Sequence, residues 1–191
     1  CATALLIDVS HSMTLYGEDR ITPAKRVALA LAELTLTRYP KDTIDVVLFG
    51  DEAVRVPLER LPYVSNGPYH TNTRAGLQLA QQLLLRRKTP NRRIVLLTDG
   101  KPSCIHEDGA LYKNPFGLDR RITSRTLEEA VRCRKRGIQV TTFMLAEDPV
   151  LQDFVKRFTE ACHGRCYLSS ADRLEPFVLL DFVRNRRRAV R

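Results

Sequence analysis

Six apolar, strand-like runs, at 2–8, 44–50, 53–57, 92–98, 138–145 and 165–168, alternate along the 191-residue chain with stretches of helical periodicity. That alternation constrains the fold most, because strands separated by helices join in parallel through crossovers and leave a sheet covered on both faces. An α/β domain with a largely parallel sheet is expected. One pair departs from this rule. Only Gly50-Asp51-Glu52 separates the second and third runs, which is too short for a crossover, so these two should form an antiparallel hairpin at a sheet edge.

Helix signals fill the intervals. Thr22 as N-cap and Pro23 at N1 announce a helix running to about Arg38. A second, near 73–87, carries Leu77, Ala80 and Leu84 at core spacing and finishes in Arg86-Arg87-Lys88. A third, near 125–136, is bounded by Gly137, and Asp148-Pro149 caps a fourth whose apolar face is Leu151, Phe154, Val155, Phe158 and Cys162. The last, from about Asp172, should bury Leu174, Phe177, Val178 and Phe182. A hydrophobic content of 43% is enough for one core at this length, so 1–191 reads as a single domain with a basic tail at 184–191. A strand that begins directly at Cys1 reads as an excerpt of a longer protein.

Asp8-Val9-Ser10-His11-Ser12 stands where the first run stops. It places a carboxylate and two hydroxyls at a strand's carboxyl end. Mg²⁺ takes oxygen ligands in near-octahedral geometry at about 2.1 Å and keeps part of its water, so short oxygen side chains suit it. Side chains alternate in a strand but bunch in the turn after it, so Asp8, Ser10 and Ser12 converge only if the chain curls round one point. A Ser-rich helix cap is the plainer use of such a turn. Two further segments add donors: His70 to Leu77 opens a helix and offers the Thr71 hydroxyl, while Arg92 to Gly100 is a second buried run ending at Asp99. Asn72 can cap that helix.

These three motifs, in this order, resemble the von Willebrand factor A (VWA) domain family and its metal-ion-dependent adhesion site (MIDAS), written Asp-x-Ser-x-Ser, then Thr, then Asp before Gly. The resemblance implies that Asp8, Ser10, Ser12, Thr71 and Asp99 bind a divalent cation, Mg²⁺ first, with Mn²⁺ or Ca²⁺ in the same role. It also implies a Rossmann-like fold with a six-stranded, mostly parallel sheet of order 3-2-1-4-5-6, one antiparallel edge strand, and helices on both faces. In such sheets ligands bind beyond the carboxyl ends of strands where the winding reverses, which here falls between the strands ending at Asp8 and Asp99. The implied function is a protein-interaction module that captures an Asp or Glu of a partner on the ion.

Narrower features, namely the Asp99-Gly100-Lys101-Pro102 turn, Asp108-Gly109, the strand Thr142-Phe143-Met144-Leu145 and the Arg-rich finish, are similar to intracellular bacterial members that sit beside AAA+ ATPases of the MoxR or metal-chelatase kind. That similarity implies an AAA+ ATPase partner and a cytoplasmic setting, with a chelatase subunit docking an AAA+ ring as the alternative. His11 departs from the pattern, since many members carry Gly there.

Composition excludes several other classes. No run approaches the roughly 18–20 apolar residues of a membrane span, and no signal-peptide pattern is present. Net charge is +9, but five arginines between Arg184 and Arg191 supply more than half of it, and no aromatic residues interleave with them, so nucleic-acid binding is not expected. Five cysteines, an odd number, suit free thiols, and Cys162 and Cys166 read as a helix-end and a strand residue rather than a zinc pair. There is no phosphate-binding Gly-rich loop and no nucleophile elbow, so a metal-dependent hydrolase is a third reading and a non-catalytic binding module the first. Lys101 to Thr123 reads as a long loop beside the site carrying Ile105, Leu111, Tyr112 and Phe116. Tyr112 and Phe116, with His11 and His70, are the candidate partner contacts; His106 is placed on the rim.

Overall fold

The computed structural model describes residues 1–67, 69–145, 148–168 and 174–186. Its elements run β1 (Ala2–Asp8), α1 (Ile21–Arg38), β2 (Thr43–Phe49), β3 (Ala53–Val56), α2 (Thr73–Leu85), β4 (Arg92–Thr98), β5 (Cys104–Glu107), β6 (Ala110–Lys113), α3 (Arg120–Lys135), β7 (Ile138–Met144), α4 (Pro149–Cys162), β8 (Arg165–Leu168) and α5 (Leu174–Arg186). The main sheet has six strands in the order β3-β2-β1-β4-β7-β8. All neighbours are parallel except β2 and β3, which pair antiparallel around the Gly50-Asp51-Glu52 turn. With the separate β5-β6 pair set aside, this is the order 3-2-1-4-5-6, and the winding reverses between β1 and β4.

All seven residues of β1 are buried, which follows from a strand covered on both faces. Alternate side chains serve opposite layers. Ala4 and Leu6 pack with Phe49, Leu77, Leu84, Phe154 and Phe158 under α2, α3 and α4, while Leu5 and Ile7 pack with Val27, Leu31, Val178 and Phe182 under α1 and α5. Each of the larger of these side chains, Leu, Ile, Val and Phe, contributes about 1.5–3 kcal/mol by leaving water. No helix among the described residues is long and apolar enough to cross a membrane.

The structure corrects four local expectations. α1 begins at Ile21, and its first turn is capped by Asp19, whose Oδ1 accepts from the Thr22 amide at 2.9 Å; a carboxylate competes better than the Thr22 hydroxyl for the positive end of a helix. Pro23 still falls in the first turn, where no amide donor is needed. α3 begins at Arg120, several residues before the expected start near 125, because Asp119 accepts from the amides of Arg121 and Ile122. In α5, Leu174, Val178 and Phe182 are buried but Phe177 is 42% exposed. Asp172 and Arg187 to Arg191, on which the expected helix start and much of the basic tail fall, lie outside the described residues.

The fourth correction concerns Lys101 to Thr123, which is not a loop. It holds the β5-β6 hairpin and the first turn of α3. Asp108 (φ 52°) and Gly109 (φ 78°) form its two-residue turn, the left-handed pair that a tight hairpin demands. Cys104 and Ile105 are fully buried. Glu107 ties the hairpin to α3 through Arg125 Nε at 2.8 Å and Arg121 Nε at 2.6 Å, and Arg74 of α2 donates to the His106 carbonyl at 3.2 Å.

Candidate metal centre

The carboxyl ends of β1 and β4 lie side by side, since Ile7 pairs with Leu97. After Asp8 the chain curls: the Ser10 amide donates to Asp8 Oδ1 at 2.9 Å, the Ser10 and Ser12 hydroxyls are 3.0 Å apart, and the Met13 amide returns to the Ser10 carbonyl at 3.1 Å. Asp8 Oδ2 accepts from the Thr98 hydroxyl at 2.7 Å, which itself accepts from the Gly100 amide at 3.0 Å. Asp99 Oδ1 accepts from the Lys101 amide at 3.3 Å. Gly100 has φ 94°, and a Cβ there would meet Met144 and Val155 at 3.0 Å, so only glycine turns the chain away from β4 at this point.

Thr71 reaches the same place from the start of α2. Its amide donates to Ser103 Oγ at 2.9 Å, and its carbonyl accepts from the Ser103 amide at 2.9 Å. Asn72 caps α2 by accepting from the Ala75 amide at 3.0 Å. Asp8, Ser10, Thr71 and Asp99 are all at most 3% exposed. Ser10, Ser12 and Thr71 line a cavity of about 300 Å³ together with His11, His70 and Lys101.

The five residues offer two carboxylates and three hydroxyls, the hard oxygen donors that suit a small divalent cation. Burial first, and the nearby Asp99 carboxylate second, push the Asp8 carboxyl up to about 7 against the opposing hydrogen bonds from Ser10 and Thr98. Among the described residues neither Asp8 nor Asp99 is paired with a Lys, Arg or His side chain. Lys101, which lines the cavity, donates its Nζ to the Pro115 carbonyl at 2.7 Å. Among the described residues no three His, Cys, Asp or Glu side chains gather as a ligand set, so an ion here would depend on the hydroxyls.

The candidate partner contacts separate into two groups. His11 and His70 line the cavity. Phe116 is 85% exposed beside Pro115, which also lines it. Tyr112 is engaged elsewhere: its hydroxyl donates to Asp119 Oδ2 at 3.0 Å and the Arg121 guanidinium stacks over its ring at 4.8 Å. His106 lies on a neighbouring groove. Sequence reasoning missed Thr98, which orients Asp8; Ser103, which holds Thr71; and Asp51, whose Oδ1 accepts from the His70 amide at 2.7 Å and faces His70 Nδ1 at 3.1 Å.

Comparison with known proteins gives the same fold. The chain resembles the SpRpn10 VWA domain (TM-score 0.65, 18% identity, 93% of each chain covered). It also resembles the pilus adhesin SpaC of Lactobacillus rhamnosus GG (TM-score 0.74, 16% identity, 94% of this chain and 29% of that one). A third likeness is to proximal thread matrix protein 1 of the mussel byssus, solved with a zinc-occupied MIDAS motif (TM-score 0.67, 19% identity, 94% and 45% covered). In sequence it is 34% identical over 193 residues to the uncharacterized proteins Rv0959 of Mycobacterium tuberculosis H37Rv and Mb0984 of Mycobacterium bovis. The match covers 98% of this chain but spans only 28% of the length of either relative. The family model described as Rv0959-like protein, vWA domain, matches residues 1–183, and the chain therefore belongs to that VWA family.

Proposed function

We propose that this domain binds a divalent cation through Asp8, Ser10, Ser12, Thr71 and Asp99, and through it captures an Asp or Glu side chain of a protein partner. The observation that carries the reading is the pair of buried carboxylates, without a side-chain cation among the described residues, that sits behind a hydroxyl-lined cavity. Buried charge is costly unless compensated, and a cation entering from that cavity would compensate both. Once bound, such an ion supplies an electrophilic coordination position for an outside carboxylate. Ser10, Ser12 and Thr71 would offer uncharged oxygens, so the ion would retain net positive charge toward the partner. Asp8 and Asp99, each fixed by hydrogen bonds, would orient water and balance charge. Mg²⁺ is the first candidate because all donors are oxygen; the zinc-occupied MIDAS of the mussel protein makes Zn²⁺ a necessary control.

The partner class we propose is an AAA+ ATPase, in a cytoplasmic setting, resting on the resemblance carried by the Asp99 to Pro102 turn and Asp108-Gly109. The proposed unit is the whole of 1–191 acting as one domain. His11, His70 and Phe116 would flank the captured carboxylate, and Tyr112 would contribute by holding the hairpin.

The test has two steps. Thermal unfolding of the chain in Mg²⁺, Mn²⁺, Ca²⁺ or Zn²⁺ against EDTA should show stabilisation that Asp99→Ala removes, since a ligand of the native state alone adds RT ln(1 + [L]/Kd). Binding of a purified AAA+ ATPase should then require the ion. Binding unchanged by EDTA, with no cation raising the melting temperature, refutes the reading.

A further inference from the structure

A second cavity, of about 610 Å³, adjoins the first. Val9, Leu48, Val54, Val64 and Leu111 give it apolar walls, and Asp51 and Glu52 sit on its lining. Tyr69 lines both cavities and forms the partition between them. That ring is built in: a Cβ on Gly67 would overlap it, and a Cβ on Gly50 would come within 2.8 Å of Tyr69 Cβ. Although 46% exposed, Tyr69 is therefore clamped against two backbones that lack side chains.

The Asp51 turn is equally fixed with respect to Thr71. The Asn72 amide donates to the Gly50 carbonyl at 2.8 Å, and Asn72 Nδ2 donates to the Asp51 carbonyl at 2.9 Å. Both His70 contacts to the Asp51 side chain fall on Oδ1, and neither uses Oδ2. His70 thus stands in the cation cavity while its carboxylate partner stands in the next one. The two cavities make opposite electrostatic demands. The first holds Lys101 and would hold the cation; the second presents two carboxylates over an aliphatic wall.

We infer that the second cavity is a subsite for an Arg or Lys of the same partner segment whose carboxylate reaches the cation, its aliphatic stem lying along Val54 and Leu111 and its charged head facing Asp51 and Glu52. Long basic side chains cover apolar surface with their stems while keeping the head at polar groups, and a guanidinium matches a carboxylate in two-point geometry. The partner recognised is then an acid and a base a few residues apart on either side of Tyr69, not an acid alone. This rests on the proposed cation reading, and the test separates the two.

The probes are short Gly-Ser peptides bearing one Asp and one Arg at spacings of one to four residues, with matched peptides bearing Asp only or Arg only. Titration into the isotopically labelled 191-residue chain, followed by heteronuclear NMR, reads millimolar affinities and locates the contacts. In Mg²⁺ the best-spaced Asp-Arg peptide should bind about fivefold more tightly than Asp alone, as expected of a half-exposed charge pair, and should shift amides at 50–54 and near Leu111. Glu52→Gln should remove most of that gain and leave Mg²⁺-dependent binding of the Asp-only peptide intact. Equal binding of Asp-only and Asp-Arg peptides at every spacing overturns the subsite and leaves the cation reading standing. An Arg-dependent gain that is lost in the Glu52→Gln variant but indifferent to EDTA supports the subsite and overturns the cation reading. Failure of every peptide to shift either cavity overturns both.

Discussion

Replacing Asp8 by asparagine should make the metal-free domain more stable and lose that advantage when the parent is loaded with metal, a metal-dependent cancellation that a merely structural Asp8 would not produce. The Asp8 carboxyl is raised from 3.8 to about 7 by burial and by Asp99. At about 1.4 kcal/mol per unit, this corresponds to roughly 4 kcal/mol of native-state strain when Asp8 is ionised. The sign follows from proton counting. Because the folded form holds its proton to higher pH than the unfolded chain, stability falls as pH rises from about 4 to about 7, and the full penalty persists above that. Below about 4 both states are protonated and the contribution vanishes.

The asparagine side chain carries no charge but keeps an acceptor for the Ser10 amide, and its Nδ2 can donate to the Thr98 hydroxyl in place of the bond that Thr98 now donates at 2.7 Å. Allowing about 1 kcal/mol for the reoriented hydrogen bond, the Asp8→Asn variant should gain about 2–3 kcal/mol in EDTA at pH 8 and little at pH 4. The assay is urea unfolding of both proteins across that range, in EDTA and in saturating Mg²⁺. With Mg²⁺ at 100 times its Kd the parent should recover about 2.7 kcal/mol, which the variant should not. A variant less stable than the parent in EDTA at pH 8, by an amount that does not change with pH, would refute the reasoning.

Ser12→Ala removes a half-buried hydroxyl bonded only to Ser10 among the described contacts, so unfolding in EDTA should change by under about 0.5 kcal/mol while the Mg²⁺-induced shift in melting temperature falls. Ile105→Ala, at a fully buried position in β5, should cost about 2–5 kcal/mol in urea unfolding, whereas Phe116→Ala, 85% exposed, should stay within about 0.5 kcal/mol. Burial pushes the Cys104 and Cys133 thiols up to about 12 and the Cys162 thiol up to about 11, so these three should resist a disulfide reagent at pH 8 until the chain is unfolded; rapid native-state modification of Cys104 would contradict the buried hairpin.

What was legible in the sequence was whatever depends on residues close along the chain or on burial from both sides. β1 and β4 carry the apolar stretches Ala4 to Ile7 and Ile94 to Leu97 because helices cover both faces, and the carboxylates that follow them are correspondingly conspicuous. The β2-β3 hairpin followed from a turn too short for a crossover, and the Asp148 and Asn72 caps from residue type and position. The β5-β6 hairpin was hidden because strands of four residues carry too little periodicity to separate from a loop, although Asp108-Gly109 is the dipeptide its turn requires. Asp119 was missed as a cap because the arginine-rich stretch after it shows only Ile122 as an early core residue. Thr98, Ser103 and Asp51 were invisible for a different reason. Each acts on a residue distant in sequence, Asp8, Thr71 and His70 respectively, and only the folded arrangement pairs them.

The hairpin also changes what the segment after Asp99 does. Read as a loop, residues 104–120 would be dispensable to the five oxygen donors, since lengthening or shortening a surface loop costs little in closure entropy. In the structure Ser103 holds both the amide and the carbonyl of Thr71, the Cys104 amide shares that carbonyl at 3.3 Å, and Asn114 donates back to the Ser103 carbonyl at 2.9 Å. β5 is therefore continuous with the strap that fixes the Thr71 backbone. Removing 104–120 would also remove Asp119, the cap of α3, and expose the apolar surface that Cys104 and Ile105 now cover. Thr71 is the one proposed donor of the five that lies neither at the end of β1 nor at the end of β4, so its position depends on this strap and on the Asn72 cap together. The segment serves the proposed site first by holding the Thr71 backbone in place, and any selection of partners by its exposed Phe116 would be built on that anchored base.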